Sequence, residues 1–339
     1  SSFTPDINSV HFSTSAVRFN WTANPTYITP GTGGPVGTTG GSFFGFRTSS
    51  ANIGPLTAVN NTNATVVTSV TIVPNVYNYP GPPSGSFICS TSPQTFNVTI
   101  RPIPVATATG NNTTICNVSG AGISVSGNIT DANMTFSWTR NNTGNVTGTN
   151  SGNSGNIAFG NTYNINPTLT NTTAVSQVVL FTITPSSNGC NGTPVVISIT
   201  VAPTVTAGVI AANQTICNGG DPAAFTQTTA ATGLNLTYQW QSSINNVAYN
   251  DIATATGNTY DSGVLTQNTW FRRIVTSTVN GTSCSATSTP VLVTVNTINP
   301  GSVAGNQTIC DGGNPNVFTS VTATGAGVIS YQWQSNTTG

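Results

Sequence analysis

Lysine and glutamate are absent from this 339-residue chain, and histidine and methionine occur once each. Charged residues make up 4% of the total, six Arg against six Asp, with zero formal net charge; ordinary globular domains carry about 25%. No basic cluster is present, so electrostatic attraction to nucleic acid or to anionic lipid is lacking, and nucleic acid is not expected as a partner. Without Lys, no Lys–Asn isopeptide bond can form, and disulfides are the only covalent staples left. There is no CxxC pair, and His11 is the only His, so a zinc-type metal site is not expected. General acid–base chemistry needs a paired carboxylate or a His, and a Ser-His-Asp triad would have to use His11. Aspartates such as Asp221, Asp251 and Asp261 are calcium candidates, but calcium loops draw several carboxylates from one short segment. No phosphate-cradling Gly loop sits between a strand and a helix. The expectation is a non-enzyme without cofactor. No apolar run reaches the ~20 residues that span a bilayer, and no signal peptide opens the chain.

What fills the chain instead is Asn, Thr, Ser, Gly and Val. Thr and Val favour strands, and no segment shows an apolar 3.6-residue period with caps. Period-two alternation recurs between turn clusters, as at Val179, Phe181 and Ile183, then Val195, Ile197, Ile199 and Val201. The intervening PSSNGCNGTP marks a closing hairpin. Equivalent pairs lie around Cys89 and Cys284. Pro-bearing joints follow at 101–104, 201–203 and 299–300, where a strand ladder must stop. The reading is an all-β array of sandwich domains with boundaries near 104, 203 and 298. The polar stretch 141–156 is expected to be a loop.

The array is written in a repeat. NQTICNGGDP at 213–222 returns as NQTICDGGNP at 306–315, and each is followed by a YQWQS segment, at 238–242 and 331–335. A weaker copy opens at NTTIC, 112–116, with FSWT at 136–139. A fixed period near one hundred residues means tandem domains, and arrays are usually built to reach or to bind. The first and last units are incomplete, which points to a segment of a longer repetitive protein.

Cysteines occupy positions 89, 116, 190, 217, 284 and 310, and such regular placement fits an oxidising, extracellular compartment. In a seven-strand sandwich the last hairpin turn lies at the end where the chain comes in, and the opening strand starts there. On that geometry the expected pairs lie within units, Cys116–Cys190 and Cys217–Cys284, with Cys89 and Cys310 paired outside the given sequence. The alternative joins neighbours across the joints: Cys89–Cys116, Cys190–Cys217 and Cys284–Cys310. Trp21, Trp138, Trp240 and Trp333 each follow an opening segment, and a Trp at that place anchors an immunoglobulin-type core. The enlarged turn PNVYNYPGPPSGSFIC carries Tyr77 and Tyr79 on a Pro/Gly frame, a candidate ligand loop, since exposed aromatics stack on sugars or anchor proteins.

N-x-T-I-C-x-G-G-x-P, then YQWQS, then NTWFRRIVTS with a downstream Cys, resembles the Ig-like repeats of very large Bacteroidota surface adhesins. TFSWTR with FTITPSSNGCNGTPVVISITV is similar to their PKD-like relatives, and FNWTA in the first unit is of that type. The resemblance implies a PKD/Ig-like sandwich over 1–104 that lacks its first strand, a PKD-like one over 105–203, an Ig-like one over 204–298, and the start of another over 299–339. It further implies export by the type IX system and no catalytic residues. The leading expectation is a segment of a cell-surface adhesin or its stalk, in attachment or gliding. Its partners would be surface glycans, polymers or proteins, and neighbouring repeats. Two rivals are kept: a self-assembling filament, sheath or surface-layer subunit, because uncharged faces leave strand edges unprotected, and a carbohydrate-binding accessory of a secreted enzyme.

Overall fold

A computed structural model describes residues 15–23, 26–30, 40–45, 56–78 and 86–336. Among these residues every regular element is a β-strand. The strands form successive two-layer units, so the chain is a linear series of β-sandwich domains, the class that its Thr- and Val-rich alternation dictates.

The second unit shows the pattern in full. Its larger sheet runs Ser151–Asn153, Thr135–Arg140, Gln177–Ser187, Val195–Val201, Thr113–Ile115, and Cys190–Asn191 returns beside Gln177–Ser187. The facing layer is made of Ala106–Thr109, Ile123–Gly127 and Tyr163–Ile165, with a second group of Ser119–Gly120, Thr168–Asn171 and Val146–Thr147. Alternation aims Phe136, Trp138, Phe181, Ile183, Ile197 and Ile199 across at Ile123, Val125, Ile165 and Leu169. Each of those aliphatic side chains contributes about 1.5–3 kcal/mol by leaving water, and this layer holds the unit together.

The third unit repeats the scheme with Gln214–Cys217, Val291–Asn296, Thr269–Val279, Leu236–Ser243 and Asn250–Asp251, and with Thr282–Thr287 paired to Thr269–Val279. In the first unit, Gly40–Gly45, Ser15–Ala23, Val66–Asn78, Phe87–Ser90 and Gln94–Ile100 share one sheet over a core of Trp21, Ile28, Val70, Ile72 and Ile100. Residues 299–336 contribute the pair Ser302–Ala304 and Thr319–Val321.

One detail of topology decides where the cysteines go. The opening strand of a unit lies parallel to its closing strand: Thr113 is opposite Ile199 and Ile115 opposite Val201, and Gln214–Cys217 lies likewise beside Val291–Asn296. The residue that ends an opening strand therefore sits at the trailing end of the unit, where the chain leaves. The last hairpin sits at the other, leading end. Phe271 is opposite Val291, so Val279 and the turn after it project past the start of the closing strand. Both hairpins turn on Asn-Gly, with φ 49° and 81° at Asn188 and Gly189 and 48° and 81° at Asn280 and Gly281. Two-residue hairpin loops of this kind need positive φ at both central residues.

Candidate functional site

The trailing end of the second unit meets the leading end of the third, and a covalent bond crosses the joint. Cys116, just past Thr113–Ile115, is bonded to Cys284 in Thr282–Thr287, with Cα atoms 5.6 Å apart and 168 residues between them in sequence. This corrects the expected pairing. Neither Cys116–Cys190 nor Cys217–Cys284 forms, and neither do the neighbour pairs across joints; Cys89, Cys190, Cys217 and Cys310 are free thiols. The expectation located the opening Cys by where its strand starts. The Cys ends that strand, and the strand runs parallel to the closing one, so the two Cys of one unit are a strand length apart. For a seven-residue closing strand such as Val195–Val201 that is about 20 Å, against the ~7 Å that a disulfide spans.

Smaller contacts set the bond in place. Thr282 Oγ1 donates to the Thr114 carbonyl and Asn280 Nδ2 to Thr114 Oγ1, both at 3.2 Å. Ala202, Val279 and Cys284 form a buried apolar plug, with Cys116, Val205 and Leu234 packed against it. Asn117 Nδ2 donates to Thr204 Oγ1 and, at 3.0 Å, to the Asn171 carbonyl. Asn171 is itself buried, and its amide donates to the carbonyls of Val175 (2.7 Å) and Val201 (3.0 Å) while its oxygen accepts from Thr173. Asn60 makes the same set with Ala64, Ile100 and Thr62. These Asn-x-Thr triplets tie a loop to the end of a closing strand, which makes Asn171 a structural residue.

The joint between the first and second units is polar. Thr130 N donates to the Asn63 carbonyl (2.9 Å), Asn128 Nδ2 to Asn63 Oδ1 (3.0 Å), and Thr65 N to Asp131 Oδ2 (2.6 Å). Arg101 Nη1 donates to the Asn188 carbonyl on the second unit's hairpin turn. The Thr65 amide holds the Asp131 carboxyl below its usual range. A carboxyl whose folded pKa is depressed stabilises the contact above its unfolded pKa, about 3.9, and loses that effect as pH falls through the folded value. The first joint is therefore expected to stay unchanged from pH 7 to 5 and to loosen in more acid solution. The second, whose contacts are a disulfide, amides and hydroxyls, should hold. The Thr65 amide resonance reads this directly; a shift that persists at pH 2 in wild type, or in Asp131→Asn at pH 7, would remove Asp131 from the joint.

The repeated decapeptide is a device for building one loop shape, which in the third unit follows the opening strand Gln214–Cys217. The Gln214 side-chain amide donates to the Ala223 carbonyl and accepts from Ala223 N, both at 2.8 Å. Gln307 does the same with Asn316, at 3.0 and 2.6 Å. Gly219 and Gly312 adopt φ 76° and 78°, a region open to Gly. A Cβ at Gly220 or Gly313 would meet the carbonyl of Cys217 or Cys310 at 2.9 or 3.0 Å. The identical residues of the repeat thus fix one loop shape beside an exposed Cys.

Trp21, Trp138 and Trp240 are buried, whereas Trp333 is 66% exposed and stands beside Phe318. The described residues after Asn299 contribute one two-stranded sheet and no facing layer, so the expected core position of Trp333 is not formed here. Trp240 donates to the Gly257 carbonyl at 2.9 Å and packs with Phe225 and Tyr260. Tyr77 lies in the strand Val66–Asn78 opposite Ala16 and Phe87, while Tyr79 and His11 lie outside the described residues. Asp221, Asp251 and Asp261 do not converge: Asp251 accepts from Gln241 and Asp261 from Gly263 N. No group of three His, Cys, Asp or Glu that could hold a metal occurs among the described residues.

Two residues in the cores escaped the sequence reading. Arg273 is fully buried between Phe271 and Val275 and donates to the Ala207 and Asn258 carbonyls at 2.7 and 2.6 Å and to Gln227 Oε1 at 3.3 Å, with Tyr238 and Trp240 rings beside it. Arg140 is buried in the second unit and donates to the carbonyls of Thr149, Gly148 and Asn141. Burial lowers the pKa of both guanidiniums, which nonetheless stay charged. The signal was present: period two places Arg273 on the inward face with Phe271 and Val275.

The family model that covers the second unit agrees with this architecture. Residues 113–205 match the model of a PKD-like domain. Residues 206–297 and 299–339 match a model described as a domain of unknown function, DUF8696. No curated protein matches the chain in sequence. Among solved structures, the chain is similar to mouse cadherin-23 EC22-24 (9% identity, 83% of this chain and 86% of that one, TM-score 0.25). It is also similar to extracellular domains 3-5 of Drosophila OTK (10%, 86% and 88%, 0.29) and to FN1-FN3 of chicken CNTN1 (9%, 65% and 75%, 0.23).

Proposed function

We propose that this chain is a non-catalytic, load-bearing segment of an extracellular adhesin, the stalk that carries attachment or gliding contacts away from the cell. The observation that carries the reading is the Cys116–Cys284 bond, which spends a covalent link on the joint between two domains rather than inside one. Such a bond persists in oxidising, extracellular surroundings. No helix of the described residues is long and apolar enough to cross a membrane. The PKD-like match supports an extracellular adhesion-type segment; type IX export as its route is proposed from the sequence resemblance. In this reading glycan, polymer or protein partners are met elsewhere in the molecule, and neighbouring repeats are the partners met here.

The filament reading has one observation in its favour. Val178, Leu180 and Val196 stand exposed on the outer face of the second unit's larger sheet, where lateral packing could cover them. Solution scattering of the oxidised chain over a wide concentration range separates the two. A stalk segment gives a concentration-independent monomer profile and no retention on a glycan array. Growth of the scattering mass with concentration, abolished by Val178→Lys, would replace the stalk with the filament, and glycan retention would favour the accessory-module reading.

A further inference from the structure

We propose that the units are laced by a pairing rule in which the opening-strand Cys of each unit bonds to the hairpin Cys of the unit that follows. Cys217 and Cys190 are then half-staples of the same lattice: Cys217 takes the hairpin thiol of a following unit, and Cys190 takes the opening-strand thiol of a preceding one. The rule deepens the load-bearing reading and rests on it only for its purpose; the connectivity stands on the strand registers.

Cys217 occupies in the third unit the place that Cys116 occupies in the second. Ile115 is opposite Val201, and Ala202 N donates to the Ile115 carbonyl at 2.9 Å, so Cys116 leaves the sheet beside Ala202. Ile216 is opposite Val295, and Cys217 is opposite Asn296. Both Cys thus stand one residue beyond the same ladder pair, at the trailing end, and Cys217 is exposed. Cys190 matches Cys284 at the leading end. Each lies on the return strand after an Asn-Gly turn, Cys190 opposite Ser187 and Cys284 opposite Ser277, one pleat further from the turn and on the same face. The hairpin turn of the second unit touches Arg101, just past the closing strand Gln94–Ile100 of the first, as the third unit's hairpin touches Thr114. Cys190 and Cys217 lie at opposite far ends of the second and third units, so they cannot satisfy one another.

The rule has a mechanical consequence. Cys217 falls inside the loop closed by Cys116–Cys284, so the next staple closes a loop that overlaps the first. Overlapping loops leave no unit that can be drawn out without breaking a sulfur–sulfur bond. Each staple forms by exchange: two thiols lose two protons and two electrons, one S–S bond forms between them, and an oxidant disulfide is reduced to two thiols.

The test uses the full chain with a second copy of residues 204–298 inserted between Ile298 and Asn299, the inserted copy marked by Thr215→Ser and Ser285→Thr so that both its opening-strand peptide and its hairpin peptide are distinguishable by mass. After refolding with oxidised glutathione, non-reducing peptide mapping should show Cys116 bonded to the unmarked Cys284 and the first-copy Cys217 bonded to the marked Cys284. Cys190 should remain alkylatable. A first-copy Cys217 that stays alkylatable while Cys116–Cys284 forms overturns the rule. So does a Cys217–Cys284 bond within one copy, or a map without Cys116–Cys284. No force or adhesion is measured, so this result and the test of the stalk reading can fail separately.

Discussion

Stretching the oxidised chain from its two ends is expected to release about 500–600 Å less contour than stretching the reduced chain or the Cys116→Ser variant. The bond closes a loop of 168 residues, and an extended chain spans at most ~3.3–3.6 Å per residue. Cys116 lies near the start of the second unit and Cys284 near the end of the third, so tension passes along the short flanks and the sulfur–sulfur bond. The interiors of both sandwiches carry almost none of it. The same loop size corresponds to about 5 kcal/mol on the chain-entropy model of cross-links. Both units should therefore also unfold at higher denaturant when oxidised, though their separate cores keep them folded after reduction. Cys284→Ser must reproduce Cys116→Ser. Equal contour lengths with and without reductant would show that the joint carries no covalent load, and the stalk reading would lose its main support.

Truncating Arg273 should be the most damaging change in the third unit outside its aromatic cluster. Arg273→Ala leaves the buried Ala207 carbonyl without its donor and strips two more acceptors, Asn258 O and Gln227 Oε1. A stranded buried acceptor costs about 1–3 kcal/mol, and the lost stem packing against Tyr238 and Trp240 adds to it. A loss of about 2–4 kcal/mol is expected. Arg273→Lys should recover less than half, because an ammonium cannot reproduce the planar fork that serves three acceptors. The neighbour is the control. Arg272 lies half-buried on the opposite face, donates to Gln241 and stacks on Tyr249 at 3.8 Å; with one acceptor to lose against three, its truncation is expected to cost about 1 kcal/mol. Urea unfolding with hydrogen exchange at 269–279 measures both. If Arg273→Ala costs no more than Arg272→Ala, the buried guanidinium is not structural.

Arg273 also shows how far the sequence can be read. The alternation that placed Phe271 and Val275 inward placed Arg273 there as well, yet nothing in the sequence showed which carbonyls would receive it. Ala207 lies 66 residues away and Asn258 15. The decapeptide was legible as a repeat, but its Gln214 clamp on Ala223 and the tight Gly220 were legible only as identities without a purpose. Trp21, Trp138 and Trp240 lie in cores because each unit supplies a facing layer; Trp333 has the same local sequence and lacks that layer among the described residues.

By itself the sequence determined the all-β class and the tandem order of units. These follow from composition and from periods of two and of about a hundred residues, which are local or repetitive properties. Only the tertiary structure decided which cysteine meets which. A disulfide depends on a few ångströms between residues far apart in sequence, and that separation is set by the direction of the opening strand and by how successive units abut. Parallel pairing of Thr113–Ile115 with Val195–Val201 carries Cys116 to the far end of its own domain, where its neighbour is the next domain's hairpin.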